Sequence, residues 1–460
     1  MGVQSPPKNN KRFLVIFLAF LAITIDGYDT FIFGALVPDI LQYSSDSWEQ
    51  LSPTQVGGLN SWAVFGMMFG ALTVGSLTDI IGRRKVIIFA TIWFSAWTFG
   101  TAYAATPVFF AATRFAAGIG LGGLMPTAIA MTVDFAPPGK RLIYNAIMFS
   151  GHPFGGVLAA VSSQLWLDDL GFRKMLELGA IAGVVLLPFL FFLLPESVGF
   201  LINRGKFDQA KGIATKFGLD YDAVIAEEQQ VIVKDTEGDT KKGRSPILEF
   251  IMAVEWRAPL ILFTVASFAG LMLIYGLSSW LPQLMRDAGY NLGSSLTFML
   301  LFNIGAVIGG LVNSFMADRM GAKKPIVMSF MIAAVTMFTL PNLPHGEGTA
   351  QIWVYATYLF VAFAGFGANG TQIAIHGYAG SYFPARYRGT AMGISNTGLG
   401  RLGGVFAPLM VGVLMESSLG FNWYFYAFMV PAVMGALAIL LIPARGQHGS
   451  TDTLDELMES

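Results

Sequence analysis

About twelve apolar stretches of roughly 18–25 residues run through this 460-residue chain, and they constrain its fold more than any other feature. A bilayer core is about 30 Å thick, so a helix that crosses it needs ~20 consecutive apolar residues. No water satisfies backbone N–H and C=O groups inside lipid, so each such stretch is expected to be helical. The stretches lie near 14–38, 54–76, 86–105, 107–133, 142–165, 175–194, 258–282, 295–317, 325–341, 351–377, 389–415 and 421–443. Composition agrees: only 12% of residues are charged and mean hydropathy is +0.60, whereas a soluble domain is about 25% charged. The expected fold class is an all-α integral membrane protein with twelve transmembrane helices, helix 1 to helix 12 in chain order.

The segment 195–257 is different material, holding about 20 of the 57 Asp, Glu, Lys and Arg residues and a helix-like piece at 207–217. It divides the chain into an N-terminal six-helix bundle (1–194), a cytoplasmic linker (195–257), a C-terminal six-helix bundle (258–443) and a cytoplasmic tail (444–460). With the N-terminus inside and twelve alternating helices, roughly 23 of the 28 Lys and Arg residues fall on the inner side, as the positive-inside rule requires. Both termini are therefore expected in the cytoplasm, and the chain in the cell (inner, cytoplasmic) membrane. Lys8, Lys11 and Arg12 before an apolar run resemble a secretory signal. The run continues through two aspartates without a small-residue cleavage site, which marks it as a retained first helix.

Those aspartates, Asp26 and Asp29, are the chemistry-bearing feature of helix 1. A carboxylate at membrane depth costs roughly 2.5–3.5 kcal/mol on insertion scales and is rarely kept without a role. At spacing i and i+3 the two side chains share one helix face, so both are expected to point into the same aqueous cavity or at the same cation. Protonation would neutralise such a group, and the pair reads as a proton-coupling site.

The two halves repeat each other. Gly75, Asp79, Gly82, Arg83, Arg84 and Lys85 follow helix 2, and Asp318, Arg319, Gly321, Lys323 and Lys324 follow helix 8 about 239 residues later. Gly118, Gly120, Gly122 and Gly123 in helix 4 match Gly365, Gly367 and Gly370 in helix 10. Gly155 and Gly156 in helix 5 match Gly403 and Gly404 in helix 11, both at an offset of about 247–248. Two similar bundles with a site at their interface is the parallel-repeat architecture of many secondary transporters.

On these residues, and on Pro195-Glu196-Ser197 after helix 6, the whole chain resembles the major facilitator superfamily. Within it, Asp26-Gly27-Tyr28-Asp29, the run from Arg114 to Pro126 and the run from Gly398 to Pro408 resemble the aromatic acid:proton symporter family of benzoate and hydroxybenzoate transporters. Ile80 stands where the inner loop usually has Arg, and Ala322 replaces a basic residue; both weaken the loop's charge network. The resemblance implies proton-coupled uptake of an aromatic carboxylate by alternating access, with helices 1 and 4 lining the cavity.

At 1.5 Å per residue, Asp29 and Arg114 each lie about seven residues, roughly 10 Å, from the outer ends of helices 1 and 4. Arg114 is therefore expected to pair with Asp29 or Asp26, as a coupling element or a purely structural ion pair. Arg401 lies about twelve residues, roughly 18 Å, along helix 11, with no acidic residue of the second half at its depth. It is expected to meet a substrate carboxylate, or else backbone carbonyls across a glycine-rich contact. His152 is a further candidate, as a proton relay or a packing residue. Tyr28, Tyr275, Asn369, Gln372 and Asn396 are candidates to line an aromatic pocket, whereas His376 is expected to face the inner loop. Asp79, Arg83, Arg84, Asp318 and Arg319 are expected to stabilise one side of the transport cycle at the inner mouth.

Other classes fit less well. The chain has no cysteine and four histidines, too few for a metal cluster or a nucleophile–base constellation, so neither an enzyme nor a cofactor is expected. The absence of a basic patch on a soluble domain argues against a nucleic-acid partner. The expected partners are a small aromatic acid, protons and the bilayer, with the protein a monomer. A proton-coupled carrier of a sugar or other small metabolite is the leading alternative. A sugar site needs many amide and hydroxyl donors and no fixed cation.

Overall fold

The computed structural model describes residues 11–45, 48–137, 140–226, 254–346, 349–383 and 385–443. The expected tail 444–460 and most of the linker's second half, 227–253, lie outside the described residues. Helix 1 is Lys11–Gln42, helix 2 Pro53–Ile81, helix 3 Arg83–Ala102 and helix 4 Pro107–Phe135. Helices 5 and 6 run almost end to end: Arg141–Phe149 leads into Gly151–Leu193, and Gly171 (φ +72°) breaks that rod into two spans. Helices 7 to 10 are Val254–Asp287, Leu292–Met320, Lys323–Thr339 and Gln351–Tyr382. Helix 11 comes in pieces, Ala385–Met392 and Leu402–Glu416, and helix 12 is Asn422–Leu441. Ten apolar helical stretches long enough to cross a bilayer are present among the described residues. One of them divides at Gly171, and the 29-residue helix 2 completes the twelve.

Local chemistry fixes where these helices start and stop. Ser52 and Gln55 form a capping box with Pro53 in the first turn of helix 2, Thr106 caps helix 4 in front of Pro107, and Asn291 accepts from Ser294 N–H at 2.8 Å to cap helix 8. Such side chains satisfy N–H groups that have no partner inside the helix. Gly82 (φ +105°) and Gly321 (φ +82°) make the turns after helices 2 and 8, a left-handed conformation that a Cβ would strain. The 239-residue repeat thus reappears as backbone geometry. In the linker, Val198–Asn203 and Phe207–Phe217 are short helices. They share a small apolar cluster of Val198, Leu201, Ala210 and Ala214, and Arg12 Nε ties them to helix 1 through the Phe217 carbonyl at 3.0 Å.

Packing inside each bundle rests on glycines that let helix backbones touch. A Cβ on Gly66 or Gly70 of helix 2 would overlap carbonyls of helix 4, and one on Gly118 or Gly122 would overlap carbonyls of helix 2. Gly305 and Gly365 do the same between helices 8 and 10. Gly27, the glycine of the aspartate motif, closes on the His152 backbone, and Gly403 closes on Phe268, so helices 1 and 5 mirror helices 7 and 11. The outer wall carries exposed apolar side chains such as Phe89, Phe192, Val430 and Leu437, which suit lipid.

Helix 11 differs from the continuous helix expected at 389–415. Residues Gly393–Gly398 form a wide turn and Leu399–Arg401 a tight one. Gly393, Gly398 and Gly400 lower helix propensity there, and Asn396 accepts a hydrogen bond from the Ser267 hydroxyl of helix 7. Wide turns inside helices recur at functional sites.

Candidate functional site

A cavity of about 680 Å³ lies between the two bundles. Its walls come from helices 2, 4 and 5 on one side and helices 7, 10 and 11 on the other. It runs from Arg401, Tyr275 and His152 to Gly75, Ile129 and Gly389, near the face where helices 2 and 3 and helices 8 and 9 join. That face carries Arg83, Arg84, Lys85, Lys323 and Lys324 and is called the basic face below.

At the opposite face the bundles meet. A Cβ on Gly34 would overlap the Ser278 carbonyl, one on Gly57 the Pro408 carbonyl, and one on Gly412 the Pro53 carbonyl. Asn60 donates to the Ser279 hydroxyl at 2.5 Å, and the Thr54 N–H donates to the Glu416 carboxylate at 2.9 Å. The structure is therefore closed at one face and hollow toward the other.

Arg114 donates to Asp29 Oδ2 at 2.7 Å, with side chains 1% and 2% exposed. The Thr98 hydroxyl donates to Asp29 Oδ1 at 3.0 Å, and the Arg114 guanidinium stands 5.7 Å from the Phe33 ring centroid. Asp26, one turn away and 3% exposed, makes no hydrogen bond among the described residues, and its charge is felt by Arg401. The expectation that both aspartates point into one aqueous cavity or at one cation is corrected. Asp29 turns to helices 3 and 4, Asp26 shares neither of those contacts, and neither aspartate is among the lining residues. Gly27 sets helix 1 against the backbone of helix 5 at His152, a residue of the cavity wall.

Tyr28 is also corrected. Its hydroxyl lies 3.2 Å from the Ser162 hydroxyl and 3.4 Å from the Met175 carbonyl, among helices 5 and 6 and away from the cavity. His376 was expected to face the loop but lines the cavity, its Nδ1 2.7 Å from the Gln372 carbonyl. Helix 10 runs on to Tyr382, which places residue 376 well inside it.

Arg401, Tyr275, His152, Asn369, Gln372 and Asn396 all line the cavity. Arg401 is 8% exposed and donates through one terminal nitrogen to the Met67 carbonyl of helix 2 at 3.1 Å, across the bundle interface. Its Nε has no partner among the described residues. Phe149, with its ring centroid 6.1 Å from that of His376, and Met125, Ile129 and Ile274 supply apolar wall that sequence reasoning missed.

At the basic face Arg83 pairs with Asp134 at the end of helix 4 and donates to Ser197 at 3.1 Å. The Arg84 N–H donates to Glu196 at 3.1 Å. These contacts tie one bundle to itself. Asp134 was not anticipated, because an inner-loop motif does not reveal which helix end it meets. The Asp79 side chain lies outside the described residues. Asp318 and Arg319 are exposed. The Arg319 guanidinium lies over Phe315 at 4.1 Å, so among the described residues the second half does not copy the first half's network.

A family profile described as "Major Facilitator Superfamily" matches residues 17–407. The benzoate transport protein of Acinetobacter baylyi is 31% identical over 439 residues, covering 94% of this chain and 90% of its own length. The gentisate transporter of Corynebacterium glutamicum is 32% identical over 437 residues, covering 94% and 88%. Among solved structures, a partially occluded inward open conformation of the xylose transporter XylE from E. coli superposes with a TM-score of 0.75 at 18% identity, covering 94% of this chain and 100% of that one. That likeness concerns the fold.

Proposed function

The chain belongs to the major facilitator superfamily and is a membrane transporter rather than an enzyme; on that premise we propose that it takes up an aromatic carboxylate of the benzoate or hydroxybenzoate class with a proton. Transport is by alternating access across the cytoplasmic membrane, as a monomer, with both termini and the basic face in the cytoplasm. The benzoate and gentisate carriers among its relatives support the substrate class.

The observation that carries this reading is Arg401. A permanently charged guanidinium, 8% exposed in a cavity wall with Nε unpaired, retains capacity for a bidentate bond to a carboxylate. Tyr275, Phe149 and the apolar wall offer faces for an aromatic ring. A site for uncharged sugars has no use for a fixed cation.

Coupling follows from a competition for that cation. Asp26 as a carboxylate is an alternative anion for Arg401. Protonation of Asp26 frees Arg401 for the substrate carboxylate, and the site with proton and anion together carries the same net charge as the empty one. Rocking toward the cytoplasm then releases substrate and proton, after which Asp26 reoccupies the guanidinium's field. Asp29, held by Arg114 and Thr98, positions helix 1.

Uptake of labelled benzoate into energised vesicles tests the reading. The parent is expected to accumulate it only with an inward proton gradient. Arg401→Lys keeps the charge but loses the planar fork, so the half-saturation concentration should rise about tenfold or more. Unaltered affinity in Arg401→Lys and Arg401→Ala would remove the anion-site assignment.

A further inference from the structure

Beyond Arg401, the cavity wall carries polar atoms that no group among the described residues satisfies. Asn369, Gln372 and His376 stand three, four and seven residues apart on one face of helix 10, and all line the cavity. Gln372 is 6% exposed, yet neither its amide oxygen nor its amide nitrogen has a partner among the described residues. Asn369, also 6% exposed, leaves its amide nitrogen unpaired. Asn303, away from the cavity, leaves its amide oxygen unpaired among the described residues but donates through its nitrogen to the Met299 carbonyl at 2.9 Å. Asn313 donates to the Gly309 carbonyl at 2.8 Å and accepts from Ser329 at 2.9 Å, so both its ends are used. Buried amides are ordinarily bonded; the Gln372 amide, packed against Gly270 of helix 7 beside the cavity, is open at both ends to a cargo group that reaches it.

The chemistry of those open ends selects the cargo. A carboxylate accepts hydrogen bonds and cannot use the Gln372 oxygen, whereas a hydroxyl donates to an amide oxygen and accepts from an amide nitrogen. We infer that Gln372, with Asn369 one turn before it, forms a subsite for a ring hydroxyl, so that the transporter selects hydroxylated aromatic acids over benzoate itself. This rests on the aromatic-carboxylate reading, with Arg401 on helix 11 holding the acid group and helix 10 holding the opposite edge of the ring. A hydroxyl ortho to the carboxylate bonds its own carboxylate, so the subsite favours meta and para hydroxyls. A site built to bond a hydroxyl discriminates strongly against the analogue that lacks it, because its own polar groups are then left unpaired.

Competition against labelled 4-hydroxybenzoate uptake tests the inference, with 3-hydroxybenzoate, 2-hydroxybenzoate, 4-methoxybenzoate and benzoate as competitors. In the parent, the meta and para hydroxy acids should compete about tenfold better than benzoate. The methoxy acid, which accepts but does not donate, should fall between them. Gln372→Leu should collapse the tenfold ratio toward one. A parent that ranks benzoate equal to the hydroxy acids overturns the subsite and leaves the aromatic-acid reading standing. So does a Gln372→Leu variant that keeps the parent's ratio. Should Gln372→Leu fail to reach the membrane, the parent's ranking decides alone. If no aromatic acid enters or competes, both the subsite and the reading beneath it fall.

Discussion

At 2.7 Å, with side chains 1% and 2% exposed, Arg114 and Asp29 form an ion pair that neither partner can leave singly. Removing one half of a buried pair leaves an uncompensated charge and costs about 3–5 kcal/mol. Asp26 has no comparable partner, and its substitution strands nothing inside its own bundle. The two aspartates of one motif are therefore expected to separate in experiment. Asp26→Asn should reach the membrane at near-parent abundance and exchange substrate down a gradient, yet fail to accumulate it. Asp29→Asn and Arg114→Ala should each lower abundance severalfold, and Asp29→Asn combined with Arg114→Ala should recover part of that loss. Quantitative blotting of membranes beside vesicle uptake reads both quantities. An equal fall in abundance for Asp26→Asn and Asp29→Asn would contradict the division of roles.

The helix–helix seams make a sharper test of what glycine does in this fold. Gly66 and Gly58 sit two turns apart on helix 2, but a Cβ on Gly66 would overlap the Phe115 carbonyl whereas one on Gly58 would meet open space. Gly66→Ala should cost on the order of 1–3 kcal/mol through forced separation of helices 2 and 4. Gly58→Ala should be neutral or slightly stabilising. Thermal unfolding in detergent separates them; indistinguishable melting temperatures would mean the seam yields freely. Much at this scale is legible in sequence. Hydropathy locates all twelve helices because lipid enforces length and apolarity, and matched depth brings Asp29 to Arg114 because both are measured from the same membrane surface. The break in helix 11 is not legible, since Gly398 and Gly400 are equally compatible with a packed helix until Ser267 is known to hold Asn396. Tyr28 is misplaced because the sequence does not reveal that its hydroxyl meets Ser162 and Met175, and His376 by ending helix 10 at residue 377 instead of 382. Asp134 escapes because its partner Arg83 comes from a different part of the chain.

Across the whole molecule, closure at one face and a hollow toward the other are two halves of one geometry. Backbone carbonyls at Ser278, Pro408 and Pro53 approach Gly34, Gly57 and Gly412 so closely that no side chain fits between them. The Glu416 carboxylate crosses the interface to accept the Thr54 N–H in the first turn of helix 2, where a negative charge also suits the helix dipole. Rocking the bundles about the cavity must separate these contacts, so the seal's stability sets how the protein divides between its two open states. A side chain at Gly412 should shift that balance by about the 1–3 kcal/mol that overpacking costs, a population change on the order of tenfold or more. The chain contains no cysteine, so a single one can report the shift. Ser279, 1% exposed behind the seal and bonded to Asn60, is a suitable position. In a Ser279→Cys background, Gly412→Leu should speed labelling by a membrane-impermeant maleimide added on the side of the sealed face about tenfold and slow net uptake in parallel. Because Gly412 touches neither Arg401 nor Asp26, a change in uptake without a change in labelling would trace to misfolding, and parent-like values of both would mean that this glycine contact does not hold the face shut.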